Sequence, residues 1–156
     1  MASTQARAPG SFVFLDADAV LQPQFAREGL ARNFGAMARH NATLGLSIAP
    51  TCLPPGHKLP GIPRSFCERN GGVIFARPGA ARVLAAWRRE FEGLRSSDGH
   101  DQQSLRKVLW DHRGDGVLYD LPPHCNCRHC QKPKADRMPC FVHHNKAKCK
   151  RIVVGH

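Results

Sequence analysis

The sequence predicts an α/β domain with a mixed sheet and helices packed against it, and three observations carry that expectation. Short runs rich in aliphatic, β-branched and aromatic residues recur at Phe12–Leu15, Leu44–Ala49, Val73–Ala76 and Val117–Leu121. Between them lie stretches whose apolar residues return at helical spacing. Proline and glycine clusters separate the two kinds of segment, as turn chemistry requires. Strands alternating with helices is the α/β pattern.

Phe12-Val13-Phe14-Leu15 reads as a buried strand and ends in Asp16-Ala17-Asp18. Residues 24–40 read as a helix with Phe25, Phe34 and Met37 on a loosely apolar face. Leu44–Ala49 follows as a second strand. Residues 50–63 hold five prolines and two glycines and are expected to form a loop. Asn70-Gly71-Gly72 leads into a third strand, Val73–Ala76, broken by Pro78-Gly79. Leu84, Trp87, Phe91 and Leu94 share one face of an amphipathic helix that should end near Ser96. Asp101–Trp110 reads as another helix, with an acid at its start where the helix dipole favours one. Val117–Leu121 is a strand stopped by Pro122-Pro123, and Cys140-Phe141-Val142 a last short strand before His143-His144. The expected core is Phe12, Phe14, Leu15, Leu46, Ile48, Val73, Phe75, Leu84, Trp87, Leu105 and Leu109.

At 156 residues, 42% hydrophobic and 22% charged, the chain has ordinary globular composition and enough length for one core. No apolar run approaches the roughly 20 residues of a membrane span, and residues 1–11 do not read as a signal peptide. The formal net charge is +11, which attracts phosphate groups on nucleotide, nucleic acid or lipid. Much of it sits between Arg128 and Arg151, where eight Lys or Arg accompany one acid, Asp136. Five of the seven cysteines, Cys125, Cys127, Cys130, Cys140 and Cys149, crowd into the last 32 residues. Disulfides or a metal site would each account for that crowding. The reading divides the chain into an N-terminal tail (1–11), a domain (12–123) and a Cys-rich basic segment (124–156).

A strand ending in two carboxylates one residue apart carries chemistry. Alternate side chains on an extended strand share a face, so Asp16 and Asp18 point the same way if the strand persists. At the carboxyl end of an α/β strand such a pair can hold a divalent cation.

Several stretches, in order, resemble glycosyltransferases of the type-A fold, especially the glycogenin-like and plant nucleotide-diphospho-sugar transferase families. FVFLDADAV (12–20) looks like the strand and DxD motif. NGGVIFAR (70–77) with Ala85-Ala86-Trp87-Arg88 looks like the Asn-small-Gly strand and its following helix. Asp101-Gln102 with Ser104-Leu105 resembles the DQ-x-x-L element, Leu121-Pro122-Pro123 with Asn126 the late LP…N stretch, and Phe141-Val142-His143 with Lys146 and Lys148 the terminal H…G…K segment. The resemblance implies transfer of a sugar from a nucleotide-diphosphate donor, a uridine diphosphate sugar above all, to a glycan or protein hydroxyl. It implies Mn²⁺ or Mg²⁺ on Asp16, Asp18 and His143, with His144 as the alternative third ligand. Asn70, Gly71, Gly72 and Lys148 would contact the donor, and Asp101 and Gln102 would lie at the transferred sugar. Family members carry whole βα units ahead of the DxD strand, whereas 15 residues precede Asp16. The expectation is therefore a partial type-A fold lacking the nucleotide-binding half. Lys146 stands where the family has Gly, and Cys149 where Pro or Trp is common. The clustered cysteines lean towards a secretory compartment such as the Golgi lumen.

Two other classes fit parts of the pattern. FLDADAVL also resembles the first motif of haloacid-dehalogenase-like phosphatases, with Asp16 as nucleophile, Asp18 as acid/base, Lys107 as the family's lysine and Asp115 and Asp120 as late acids. Cys127 and Cys130, followed by Cys140 and His143, have spacing suited to a structural Zn²⁺ in a basic nucleic-acid-binding module.

Overall fold

The computed structural model describes residues 10–16, 19–21, 23–49, 52, 53, 55–94, 101–122, 125 and 141–143, of which 20, 21, 23–27, 94 and 141–143 are described by backbone alone. In chain order the elements are β1 (Phe12–Leu15), β2 (Ala19–Leu21), α1 (Pro23–Arg39), β3 (Leu44–Ile48), β4 (Arg69–Ala76), α2 (Ala81–Leu94), α3 (Asp101–Asp111), a 3-10 turn (Arg113–Asp115), β5 (Leu118–Leu121) and β6 (Phe141–His143). Four strands form one sheet in the order β1-β4-β3-β5, and β2 pairs with β6 in a second. β4 runs antiparallel to both β1 and β3, while β3 and β5 are parallel. The expected mixed sheet with flanking helices is the architecture found.

The helices cover both faces of the sheet. Leu44, Leu46, Ile74 and Ala76 pack with Val83 of α2 and Leu105, Val108 and Leu109 of α3. Val73, Phe75 and Leu121 pack with Met37 of α1, with Phe34 half-buried beside them. The alternation of side chains along each strand separates these two sets.

Local chemistry explains where α1 begins and ends. Pro23 occupies its first position, where the missing N–H costs nothing. At the other end Asn41 adopts a left-handed conformation, φ 53°. Asn41 N–H donates to the Ala38 carbonyl at 3.1 Å and Ala42 N–H to the Met37 carbonyl at 2.8 Å. That is the two-bond Schellman closure, with its usual apolar contact supplied by Ala42 against Met37.

β4 is the central strand, and all eight of its residues are buried. It starts at Arg69, four positions before the strand expected from Val73. Asn70-Gly71-Gly72 is therefore strand and not a turn. Gly45 faces Phe75, yet Ser47 faces Asn70, so two steps along β3 answer five along β4. The surplus falls across Gly71 and Gly72 and switches the faces of the strand. Gly71 looks towards Trp87 and Leu105, whereas Val73 and Phe75 belong to the opposite core.

Three expected core residues are at the surface: Phe12 is 43% exposed, Phe14 48% and Ile48 45%. β1 was expected to be a buried strand. Instead it is an edge strand of the described sheet, and Phe12 and Phe14 stand opposite Ala76 and Ile74, beyond the reach of α2 and α3. Leu46, Val73, Phe75, Leu105 and Leu109 are buried as expected, and Leu15, Leu84 and Trp87 are half-buried against the two cores.

The loop between β3 and β4 is stapled by a disulfide, Cys52–Cys67, a pairing the sequence reading did not anticipate. Glu68 N–H donates to the Cys52 carbonyl at 2.7 Å. The fully buried Arg106 of α3 fastens the loop from below, its guanidinium donating to the carbonyls of Phe66 (2.7 Å), Pro63 (2.8 Å) and His57 (3.3 Å). Burial lowers its pKa below the usual arginine value, offset in part by nearby Glu68. A guanidinium stays charged at neutral pH regardless, and its fan of donors suits three convergent carbonyls.

Candidate active site

β1 delivers Asp16 to its carboxyl end, beside the widened part of β4. Asp16 N–H donates to the Gly72 carbonyl at 2.9 Å, and Gly72 N–H donates to Asn70 Oδ1 at 2.9 Å. Asp16 and the Asn70-Gly71-Gly72 stretch are thus joined by two consecutive bonds, although 54 residues separate Asp16 from Asn70. Asn70 is 3% exposed, and its side chain works inside the strand.

Gly71 provides the next link. A Cβ added there would lie 3.4 Å from Cη2 of Trp87 and 3.7 Å from Cδ2 of Leu105. The indole of α2 thus lies over Gly71 with room for no more than a methyl group. The same edge of that indole also reaches α3. Its Nε1–H donates to Ser104 Oγ at 3.0 Å and to the Asp101 carbonyl at 3.1 Å, and the Ser104 hydroxyl donates to the same carbonyl at 2.7 Å. Asp16, Asn70, Gly71, Gly72, Trp87 and Asp101 form one chain of contacts. Asp101 is exposed and Gln102 half-buried, both in the first turn of α3.

The short β2–β6 sheet adds the C-terminal segment. Its register sets Ala19 opposite His143, Val20 opposite Val142 and Leu21 opposite Phe141. The backbone of His143 is therefore paired with the residue that directly follows Asp18. Ala19 N–H also donates to the Asp16 carbonyl at 2.9 Å, just beyond the end of β1 at Leu15. Asp18, His144 and Lys148 and the side chain of His143 lie outside the described residues. Among the described residues no group of three His, Cys, Asp or Glu side chains could hold a metal ion.

The residues of the phosphatase pattern are engaged elsewhere. Lys107 bonds Glu90 at 3.0 Å and Asp111 at 3.2 Å, contacts that raise its pKa. Asp120 accepts two bonds from Arg69, at 2.9 and 3.0 Å. Asp115 meets His112 at 2.8 Å, and that bond, more than nearby Arg82, holds its carboxyl below the ordinary value. Of the zinc pattern, Cys127, Cys130 and Cys140 lie outside the described residues. Cys125 is a buried thiol in the α1-side core and accepts a bond from Asn33 Nδ2 at 3.2 Å. An open cavity of about 430 Å³ lies between residues 59–62 and Lys107, Trp110 and Asp111 of α3, and of the candidate residues only Lys107 of the phosphatase pattern lines it.

The fold is the type-A glycosyltransferase fold in part, a mixed sheet whose described edge carries the carboxylate strand. One solved structure with this fold is the galactosyltransferase LgtC in complex with donor and acceptor sugar analogues, with a TM-score of 0.59 and 15% identity over 90% of this chain and 54% of that one. Mouse xyloside xylosyltransferase 1 in its apo form matches at a TM-score of 0.49 and 15% identity, over 88% of this chain and 58% of that one. The chain thus spans little more than half the length of the structures it matches. No protein-family model matches the sequence, and no curated protein matches it either.

Proposed function

We propose that the chain carries the metal-binding and sugar-transfer part of a nucleotide-sugar glycosyltransferase. The observation that carries the reading is the β2–β6 register, with His143 against Ala19. It draws a histidine from the far end of the chain to the residue after the DxD pair, as a metal site built from Asp16, Asp18 and His143 requires. Two carboxylates and an imidazole suit Mn²⁺ or Mg²⁺. The cation, when bound, supplies positive charge to a leaving diphosphate.

The chain's own residues divide the remaining work. The bond between Asp16 N–H and the Gly72 carbonyl ties the metal-binding carboxylate to the strand that borders the donor sugar. Gly72 keeps that border free of a side chain, while Gly71 faces Trp87 and Leu105. Asp101 and Gln102 face the transferred sugar from the first turn of α3, and Lys148 adds charge at the diphosphate. The donor is a uridine diphosphate sugar and the acceptor a hydroxyl of a glycan or protein. The disulfide between Cys52 and Cys67 suits an oxidising compartment such as the Golgi lumen.

Calorimetric titration with uridine diphosphate and Mn²⁺ tests the reading. The wild type should bind only with metal present, and Asp16→Ala/Asp18→Ala should lose at least tenfold in affinity, about 1.4 kcal/mol. Metal-independent binding, no binding by the wild type, or full binding by the double variant would each overturn it.

A further inference from the structure

We propose that Trp87 is a positioning residue that sets the distance between the Asn70-Gly71-Gly72 strand and the first turn of α3. The proposal rests on the reading of Asp101 and Gln102 as residues at the transferred sugar, and its geometry is independent of that reading. The indole spans the gap between the two elements. Its six-membered ring lies against Gly71, where an added Cβ would come within 3.4 Å of Cη2. Its N–H, on the same edge of the ring system two bonds from Cζ2, donates to Ser104 Oγ and the Asp101 carbonyl. Ser104, which is fully buried, passes the contact on by donating its own hydroxyl to that carbonyl.

A tryptophan serving only as core would bury its ring and leave its N–H to any nearby acceptor. Here the N–H goes to the first residue of α3, and the ring is only half-buried. The first turn of a helix is where fraying starts, because its N–H groups have no intrahelical partners and only its carbonyls are bonded. Anchoring the Asp101 carbonyl twice, from α2 and from Ser104, holds that turn in register with Gly71. Neither Asp101 nor Gln102 can then move without the indole moving over the strand.

The test is Trp87→Phe, which keeps an aromatic ring against Gly71 and deletes the N–H, with Ser104→Ala as the second variant. Amide hydrogen exchange and melting temperature are measured for both, with initial rates of Mn²⁺-dependent hydrolysis of a panel of uridine diphosphate sugars. Each variant should exchange the amides of residues 102–105 several-fold to about tenfold faster, the range one hydrogen bond allows, while β4 and the second half of α3 keep wild-type protection. Turnover should fall about tenfold with KM within about twofold, since a small displacement of positioned groups acts on the chemical step. Unchanged exchange at 102–105, or faster exchange spread evenly over α2, α3 and β4 with a lowered melting temperature, would overturn the proposal and return Trp87 to a packing role. A wild type that hydrolyses no uridine diphosphate sugar would count against the glycosyltransferase reading alone, and the exchange measurement would still decide the positioning role.

Discussion

Glycines at two positions show how a single hydrogen in place of a methyl shapes this molecule. Gly71 admits Trp87 at ordinary van der Waals distance, so Gly71→Ala is tolerable and a larger residue is not. Gly45 is tighter: an added Cβ would meet Met37 Sδ at 2.9 Å, Leu121 Cδ2 at 3.1 Å and Phe75 Cβ at 3.2 Å. All three belong to the core between α1 and the sheet, and Phe75 is fixed by its strand. We expect Gly45→Ala to cost about 1–3 kcal/mol by overpacking. Thermal unfolding followed by circular dichroism should show a drop of several degrees, and a melting temperature equal to wild type would refute it. Gly45 does not announce its role in the sequence, because the neighbours that require it lie on other elements.

The loop between β3 and β4 behaves as an element in its own right. Its prolines read correctly as a loop, but its closure depends on pairings across it. Cys52 and Cys67 are 15 positions apart, and a cross-link of that span stabilises by about 3 kcal/mol through the unfolded chain. Arg106 holds the same loop by three carbonyls, and His57 Nδ1 meets the buried Glu68 Oε1 at 2.9 Å. We expect Cys52→Ser/Cys67→Ser to melt roughly 6–12 °C below wild type, and reductant to remove the difference. A wild type indifferent to reductant would contradict the expectation. The helices were easier to foresee. All three follow from apolar spacing, although the proline start of α1 and its Schellman closure at Asn41 and Ala42 were not recognised.

The sheet order decides what the same residue type does at different positions. Phe75 on β4 has no exposure, whereas Phe12 and Phe14 on neighbouring β1 are nearly half exposed. Phe75→Ala should cost about 3–5 kcal/mol as a cavity in the core. Phe12→Ser/Phe14→Ser should cost at most about 1 kcal/mol, as surface changes do. Chemical denaturation of the two variants separates these outcomes, and a double variant as damaged as Phe75→Ala would show that β1 is covered in solution. β1 has a described partner on one side only, and exposed apolar edges are where sheets accept further strands. The charge of +11 is likewise a property of the whole and favours a phosphate-bearing ligand without naming one.

Fold class and most element positions were legible because they rest on periodicity and turn chemistry, which are local. The order of the motifs was legible too, and their resemblance named Asp16, Asn70, Gly71, Gly72, Asp101, Gln102 and His143 as candidates. Distance was not legible. That Asp16 bonds Gly72, that Trp87 reaches Asp101 and that His143 pairs beside Ala19 follow from strand order and from the surplus residues in β4, which depend on contacts between segments far apart in the chain. Burial failed at Phe12, Phe14 and Ile48 for the same reason: hydrophobicity says that a side chain can be covered, and only the packing of α2 and α3 over one part of the sheet decides which ones are.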